Sequence, residues 1–145
     1  MVKINFSNDG QPAINDTNLN QMQDNIETAI NAVAPDTGWQ DLTLAQDITA
    51  QSSAAAYKPQ YRKIGKLIYV AGCVKGATAN NQILATLPSG YRPSHQMRYI
   101  TGRSGTAHVI LQLGTSGEIT FICMSDNSAV SASTYIYIQT SFLVD

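Results

Sequence analysis

The apolar positions of this chain change period once. Between residues 18 and 33 they recur at Leu19, Met22, Ile26, Ala29 and Val33. That spacing of three and four is a heptad seam, with Leu19, Ile26 and Val33 at one core position and Met22 and Ala29 at the other. The remaining positions are mostly Asn, Gln, Asp, Glu and Thr, apart from Ile30 and Ala32. Asn15, Asp16 and Thr17 are N-cap types just ahead of the run, and Pro35 and Gly38 close it. The pattern predicts one helix of roughly four turns. A helix this short is marginal alone in water, so its apolar stripe must meet something. It can pack on its own chain, as amphipathic helices usually do. The narrow seam and the linker-like Ala34-Pro35-Asp36-Thr37-Gly38 segment favour a short parallel bundle of identical chains, and the heptads do not choose between two and three strands.

From Trp39 onward the period becomes two. The predicted strands are Trp39–Leu44, Tyr61–Ile64, Lys66–Lys75, Gln82–Leu87, Arg98–Gly102, Ala107–Leu113, Glu118–Met124 and Thr134–Val144. Lys66–Lys75 is apolar on both faces, as a central strand is. Leu113-Gly-Thr-Ser-Gly-Glu118 reads as a hairpin, and Ile64-Gly65-Lys66 as a tighter turn or bulge. The turn-rich residues 1–17 contain the alternating Val2, Ile4 and Phe6, a short strand or an arm laid on a neighbour. The expected organisation is therefore an arm (1–17), a stalk helix (18–33), a linker (34–38) and a β head (39–145). The fold class is mainly β, with a short N-terminal α-helical stalk and a sandwich or jelly-roll-like head.

Two stretches resemble known proteins. Residues 12–33 (PAINDTNLNQMQDNIETAINAV), with their core at Ile14–Ile26, resemble an N-terminal element of minor structural and tail proteins of phages of Gram-positive bacteria. Residues 61–94, with Tyr61–Lys66, Val74–Gly76 and Leu87–Ser94 (LPSGYRPS), resemble the C-terminal heads of the same class of tail fibre and baseplate proteins. The layout as a whole is similar to the receptor-binding proteins of lactococcal phages. The resemblance implies a trimeric stalk, and so a homotrimer at the virion tail tip, docked to a baseplate or tail protein through its N-terminus and binding host cell-wall polysaccharide through its heads. Gly105–Phe121 resembles a head hairpin of that family in outline, with Thr106, Val109 and Ile110 where the family has aromatic residues. The alternative reading is a purely structural fibre or baseplate module that binds another phage protein.

Composition agrees with an external, self-packed subunit. Hydrophobic residues make up 43% and charged residues only 13%, so the surface is finished with Asn, Gln, Ser and Thr. The net charge of −1 conceals two opposed parts. Residues 1–47 carry seven acidic side chains and one lysine, −6; residues 48–145 carry eight bases and three acids, +5. No apolar stretch approaches the ~20 residues that span a bilayer, and the N-terminus lacks a signal-peptide pattern. The expected route is synthesis in the host cytoplasm and release on the particle. Cys73 and Cys123 lie inside apolar runs and read as small buried hydrophobes, with a cross-strand disulfide left open.

The chemistry-bearing residues favour binding over catalysis. Sugar sites use an aromatic face for the C–H side of a ring and planar polar groups for its hydroxyls. His95, Arg98, Tyr99, Arg103 and His108 offer both, at a subunit boundary. Leu19, Met22, Ile26, Ala29 and Val33 are the expected oligomer interface. The head's Asp41, Asp47, Glu118, Asp126 and Asp145 sit in no motif that marks a catalytic carboxyl pair, and no nucleophile elbow, P-loop or dinucleotide fingerprint occurs. No Cys or carboxylate stands at metal-ligand spacing from either histidine; a ring of one histidine from three copies on a threefold axis is the remaining route to an ion. Arg62, Lys63 and Lys66 cluster with Tyr61 and Tyr69, but they read better as charges guarding a strand edge than as a nucleic-acid surface. A non-enzymatic adhesin without cofactor, metal, nucleic acid or membrane is the expectation.

Overall fold

The computed structural model describes residues 16–31 and 35–145. The chain divides into two compact units, Met1–Ala34 and Pro35–Asp145. The expected arm up to Asn15, and Val33 of the seam, lie outside the described residues.

Helix α1 spans Asp16–Asn31, two residues ahead of the predicted start, a shift ordinary for a fraying helix end. Leu19, Met22 and Ile26 are 51%, 48% and 57% exposed, and Ala29 is exposed as well. Away from the seam, the Gln23 amide donates to Glu27 Oε1 one turn on, at 3.1 Å.

Residues 35–145 form twelve short strands: β1 Gln40–Asp41, β2 Thr43–Leu44, β3 Thr49–Ala50, β4 Gln60–Ile64, β5 Leu67–Ala71, β6 Cys73–Lys75, β7 Gln82–Thr86, β8 Met97–Thr101, β9 Val109–Leu113, β10 Glu118–Met124, β11 Ile136–Tyr137 and β12 Thr140–Leu143. All pairings are antiparallel. One sheet has the order β1-β4-β5-β12, a second β2-β7-β10-β9-β8, and a small third β11-β6-β3. The inward side chains of all three meet in one core, including Ile68, Val70, Val74, Leu84, Leu111, Phe121, Ile136 and Phe142. This is the packing of a β-sandwich.

Two bulges adjust which side chains reach that core. In β10 the register slips between Phe121 and Cys123, so Ile119, Phe121 and Met124 are buried while Cys123 is half-buried. A second slip between β10 and β7 leaves Leu84 and Ala85, consecutive residues, both buried. Both cysteines are free, Cys73 buried and Cys123 partly so.

The expected strands recur with two long ones divided. Lys66–Lys75 breaks at Gly72, and Thr134–Val144 breaks at Ile138–Gln139, directly across from it. The pairing keeps one register through the break: Ile136 lies opposite Val74 and Tyr137 opposite Cys73, then Thr140 lies opposite Val70. What changes is the neighbour on the other side. Below Gly72 it is β4; above, it is β3. Residues 52–59 leave the sheet between those strands, with one 3-10 turn at Ala55–Tyr57. They return so closely that a Cβ on Gly72 would lie 2.5 Å from Pro59 Cα and 2.6 Å from the Lys58 carbonyl oxygen. The backbone there has φ +127°, open to glycine alone.

Trp39–Leu44, expected as one strand, serves two sheets. β1 pairs with β4 and β2 with β7, and the chain crosses between them at buried Leu42, whose N–H donates to the Pro59 carbonyl at 3.0 Å. β3 and the 3-10 turn had no periodic signal, being two and three residues long.

The 87–94 loop is fixed by three side-chain contacts. Arg92 Nε donates to the Leu87 carbonyl at 3.0 Å. Tyr91 packs edge-on against Tyr61 at 4.8 Å, and Lys63 Nζ donates to the Gly90 carbonyl at 3.2 Å.

Two glycines provide a test of the break. Gly72→Ala meets both a forbidden conformation and backbone atoms, and its expected cost is about 3 kcal/mol or more. Gly90 also has positive φ (+85°) but faces open space, so Gly90→Ala should cost only about 1 kcal/mol. Urea unfolding of the two variants checks the contrast; equal costs would show that the Pro59 contact does not constrain the fold.

Candidate functional site

The residues singled out from the sequence fall into separate places. β8 is an edge strand of the larger sheet, with Met97 opposite Leu113 and Thr101 opposite Val109. His95 precedes it, at the end where Gly114 and Gly117 close the β9–β10 turn. Arg103 and His108 follow it, at the other end. Eight residues of largely extended chain place His95 and Arg103 on the order of 20 Å apart. Between them, Arg98 and Tyr99 point to opposite faces. Arg98 is exposed and its Nε donates to Gln112 Oε1 at 2.9 Å, an acceptor shared with Gln96. Tyr99 packs on the core, and burial pushes its phenol well above the ordinary range. Its hydroxyl is buried with no hydrogen-bond partner.

Arg103 and His108 share one loop end. Arg103 forms an isolated bridge with Ile136, and its Nε is buried without a partner. The His108 N–H donates to Ser125 Oγ at 3.1 Å, and the Ser125 N–H donates to the His108 carbonyl at 2.9 Å. Next to Ser125, Asp126 accepts from the Ser128 hydroxyl at 2.6 Å and the Ser128 amide at 3.1 Å. Those two bonds hold its carboxyl below the ordinary range, with a smaller contribution from the charge of Arg103. Among the described residues no group of three or more His, Cys, Asp or Glu side chains is placed to hold a metal ion.

A second site lies where the sheet breaks. The 52–59 excursion, Trp39 and the strand at the Gly72 break border a groove of about 370 Å³. Trp39, Lys58, Gln60 and Gln139 line it with Ala55 and Ala56, over a floor of Ala71 and Gly72. Its volume is at the small end of ligand pockets, roughly 300–1,000 Å³. Trp39 is 47% exposed.

The charged groups around Trp39 are paired. Asp36 accepts from Arg62 through both carboxylate oxygens, and the Arg62 guanidinium carbon sits 5.9 Å from the centroid of the Trp39 ring. Asp41 Oδ1 accepts from Lys58 Nζ at 2.7 Å and from the Gln60 amide at 2.9 Å. The Lys58 bond, followed by that from Gln60, lowers the Asp41 carboxyl. Sequence reading took Trp39 only as a strand start. The available signal was the chain's one tryptophan standing between Gly38 and Gln40, a bulky apolar residue with no apolar neighbour in sequence.

The Arg62 hydrogen bond, then the Gly38 amide at 2.9 Å, brings the Asp36 carboxyl down from 3.8 to about 2. A depressed carboxyl keeps its ion pair above its ordinary pKa and loses it as pH falls through the lowered value. The Asp36–Arg62 pair should therefore persist through pH 4 and open only toward about 2. Carboxyl-carbon NMR titration reads this directly, and Arg62→Ala should return the Asp36 midpoint most of the way to 3.8.

No protein-family model matches the chain, and no curated protein matches it in sequence. Among solved structures it is similar to the receptor binding protein (gp15) of Listeria phage PSA, with a TM-score of 0.65 and 17% sequence identity, over 95% of this chain and 83% of that one. At that identity the likeness is one of fold, and this chain shares the fold of that phage protein across nearly its whole length.

Proposed function

We propose that this chain is a phage tail-tip receptor-binding protein that attaches the virion to a host cell-wall saccharide without cleaving it. The observation that carries the reading is the near full-length fold likeness to the receptor binding protein of a Listeria phage. The phage-like stretches at residues 12–33 and 61–94, with their similarity to lactococcal receptor-binding proteins, point the same way. In this reading the protein is a homotrimer. Leu19, Met22, Ile26, Ala29 and Val33 join three helices, the N-terminal arm docks on a baseplate or tail protein, and the heads face the cell. The exposure of Leu19, Met22 and Ile26 supports it, because a stripe left uncovered in one chain is stabilised when copies meet. Weak binding by each head becomes firm attachment when many heads engage together.

The saccharide contacts proposed from the sequence, His95, Arg98, Tyr99, Arg103 and His108, are kept with a division of labour. Arg103 and His108 act together at one loop end, where Asp126 and its serines add acceptors. Arg98 presents its guanidinium on the outer sheet face. Tyr99 supports β8 from the core side, and His95 serves the opposite end. Absence of cleavage is supported by the carboxylates. Glu118 and Asp126 flank β10, on the order of 25 Å apart, whereas glycosidase pairs stand roughly 5–9.5 Å apart. Asp41 is held ionised beside Lys58, which unfits it to donate a proton.

A second reading, a structural module that binds another tail protein, is favoured by the outer face of the larger sheet. There Ile100 is 68% exposed, its strand partner Ile110 is half-buried, and Ile83 is exposed.

Light scattering on the purified full chain should give the mass of three chains, and Leu19→Asp with Ile26→Asp should reduce it to one. Fluorescently tagged trimer should label Gram-positive host cells, and stripping wall polysaccharide should abolish the signal. Failure to label any host strain, with tight binding to a phage tail protein instead, selects the structural reading.

A further inference from the structure

We propose that the groove between Trp39 and the Gly72 break binds one neutral pyranose ring of the host polysaccharide, a hexose or N-acetylhexosamine, distinct from the Arg103–His108 loop end. The inference rests on the saccharide-binding reading above and adds a site and a ligand class to it.

Three features identify the ligand. The first is an aromatic platform. Trp39 is the chain's single tryptophan and is half exposed at the groove. Arg62, itself anchored by Asp36, lies against its ring and restricts the indole before any ligand arrives. A flat apolar face suits the C–H side of a sugar ring. The second is the polar complement. Gln60 and Gln139 are amides, each with a donor and an acceptor, and Lys58 adds donors; such groups match hydroxyls that both give and accept hydrogen bonds. The third is charge. Both cations near the indole, Lys58 and Arg62, are paired with carboxylates, Asp41 and Asp36. A site for a phosphate or a uronate would leave a cation unpaired. This one is balanced and selects a neutral partner.

The groove is also built into the backbone. Its floor is where the strand's other neighbour changes from β4 to β3, and Gly72 lets the 52–59 excursion approach it. Ala55 and Ala56 then form a low wall that leaves room for a ring.

Because Trp39 is the only tryptophan, emission from the intact protein reports on this groove alone. The full chain is titrated with N-acetylglucosamine, glucose, galactose and rhamnose, with glycerol phosphate as the anionic comparison. At least one neutral sugar should shift the emission saturably, with little change on raising salt. Gln139→Ala and the groove-filling Ala56→Leu should each weaken that response roughly tenfold, the loss of one good contact, while the unfolding midpoint stays put. Flat emission with all four sugars overturns the proposal, as does a response to glycerol phosphate alone or an Ala56→Leu variant that binds as before. If emission is flat while the same protein labels host cells, the groove assignment fails and the receptor-binding reading stands; if labelling is absent too, both fail.

Discussion

The head is organised by one close approach, that of the Pro59 backbone to Gly72. A side chain at Gly72 would occupy the space that Lys58 and Pro59 fill. With hydrogen there, an antiparallel pair running from Leu67 to Lys75 against Ile136 to Leu143 keeps a single register while changing its other neighbour midway. Two consequences follow. The Pro59 carbonyl is free to accept from Leu42, where the chain passes from one sheet to the other. The 52–59 segment is also held out from the sheet, which opens the groove beside Trp39. The packing of the sandwich and the groove beside Trp39 thus share a cause.

The opposed charges of the two parts of the chain acquire a meaning at the same place. Asp36 and Asp41 come from the acidic first third and pair with Arg62 and Lys58 from the basic remainder. Exposed pairs of this kind contribute little to stability. Their effect is local: they cancel charge around the indole and hold the side chains that surround it. The head's formal excess of positive charge therefore does not translate into a cationic surface at Trp39. Among the described residues Arg98, on β8, and Arg103, just beyond it, have no carboxylate within salt-bridge distance, and Arg98 is held instead by Gln112.

Legibility followed the range of the interactions involved. Helix α1 and strands β4, β7, β8, β9 and β10 lie within two residues of their expected bounds, because alternation and heptad spacing are local and each run is long enough to count. The β9–β10 turn was readable for the same reason, since Gly114 and Gly117 sit between two strong apolar runs. The candidate site was harder. His95, Arg98, Tyr99, Arg103 and His108 were grouped by closeness in sequence, but a strand carries neighbours to opposite faces and its two ends far apart. Arg103 and His108 do share a loop end, joined there by Ser125 and Asp126 from the far side of β10.

By itself the sequence determined a helix with heptad spacing and a β-rich remainder with a readable set of strands, since these depend on side-chain periodicity within a few residues. It also carried the low charge and the heptad stripe on which the proposed trimer rests. Only the tertiary structure decided where the long strands break, which sheet each half of Trp39–Leu44 joins, and which residues meet at the indole. Those outcomes depend on contacts between positions far apart in sequence, Gly72 with Pro59, Asp36 with Arg62 and Leu42 with Pro59, whose geometry exists only once the sheets have closed on their core.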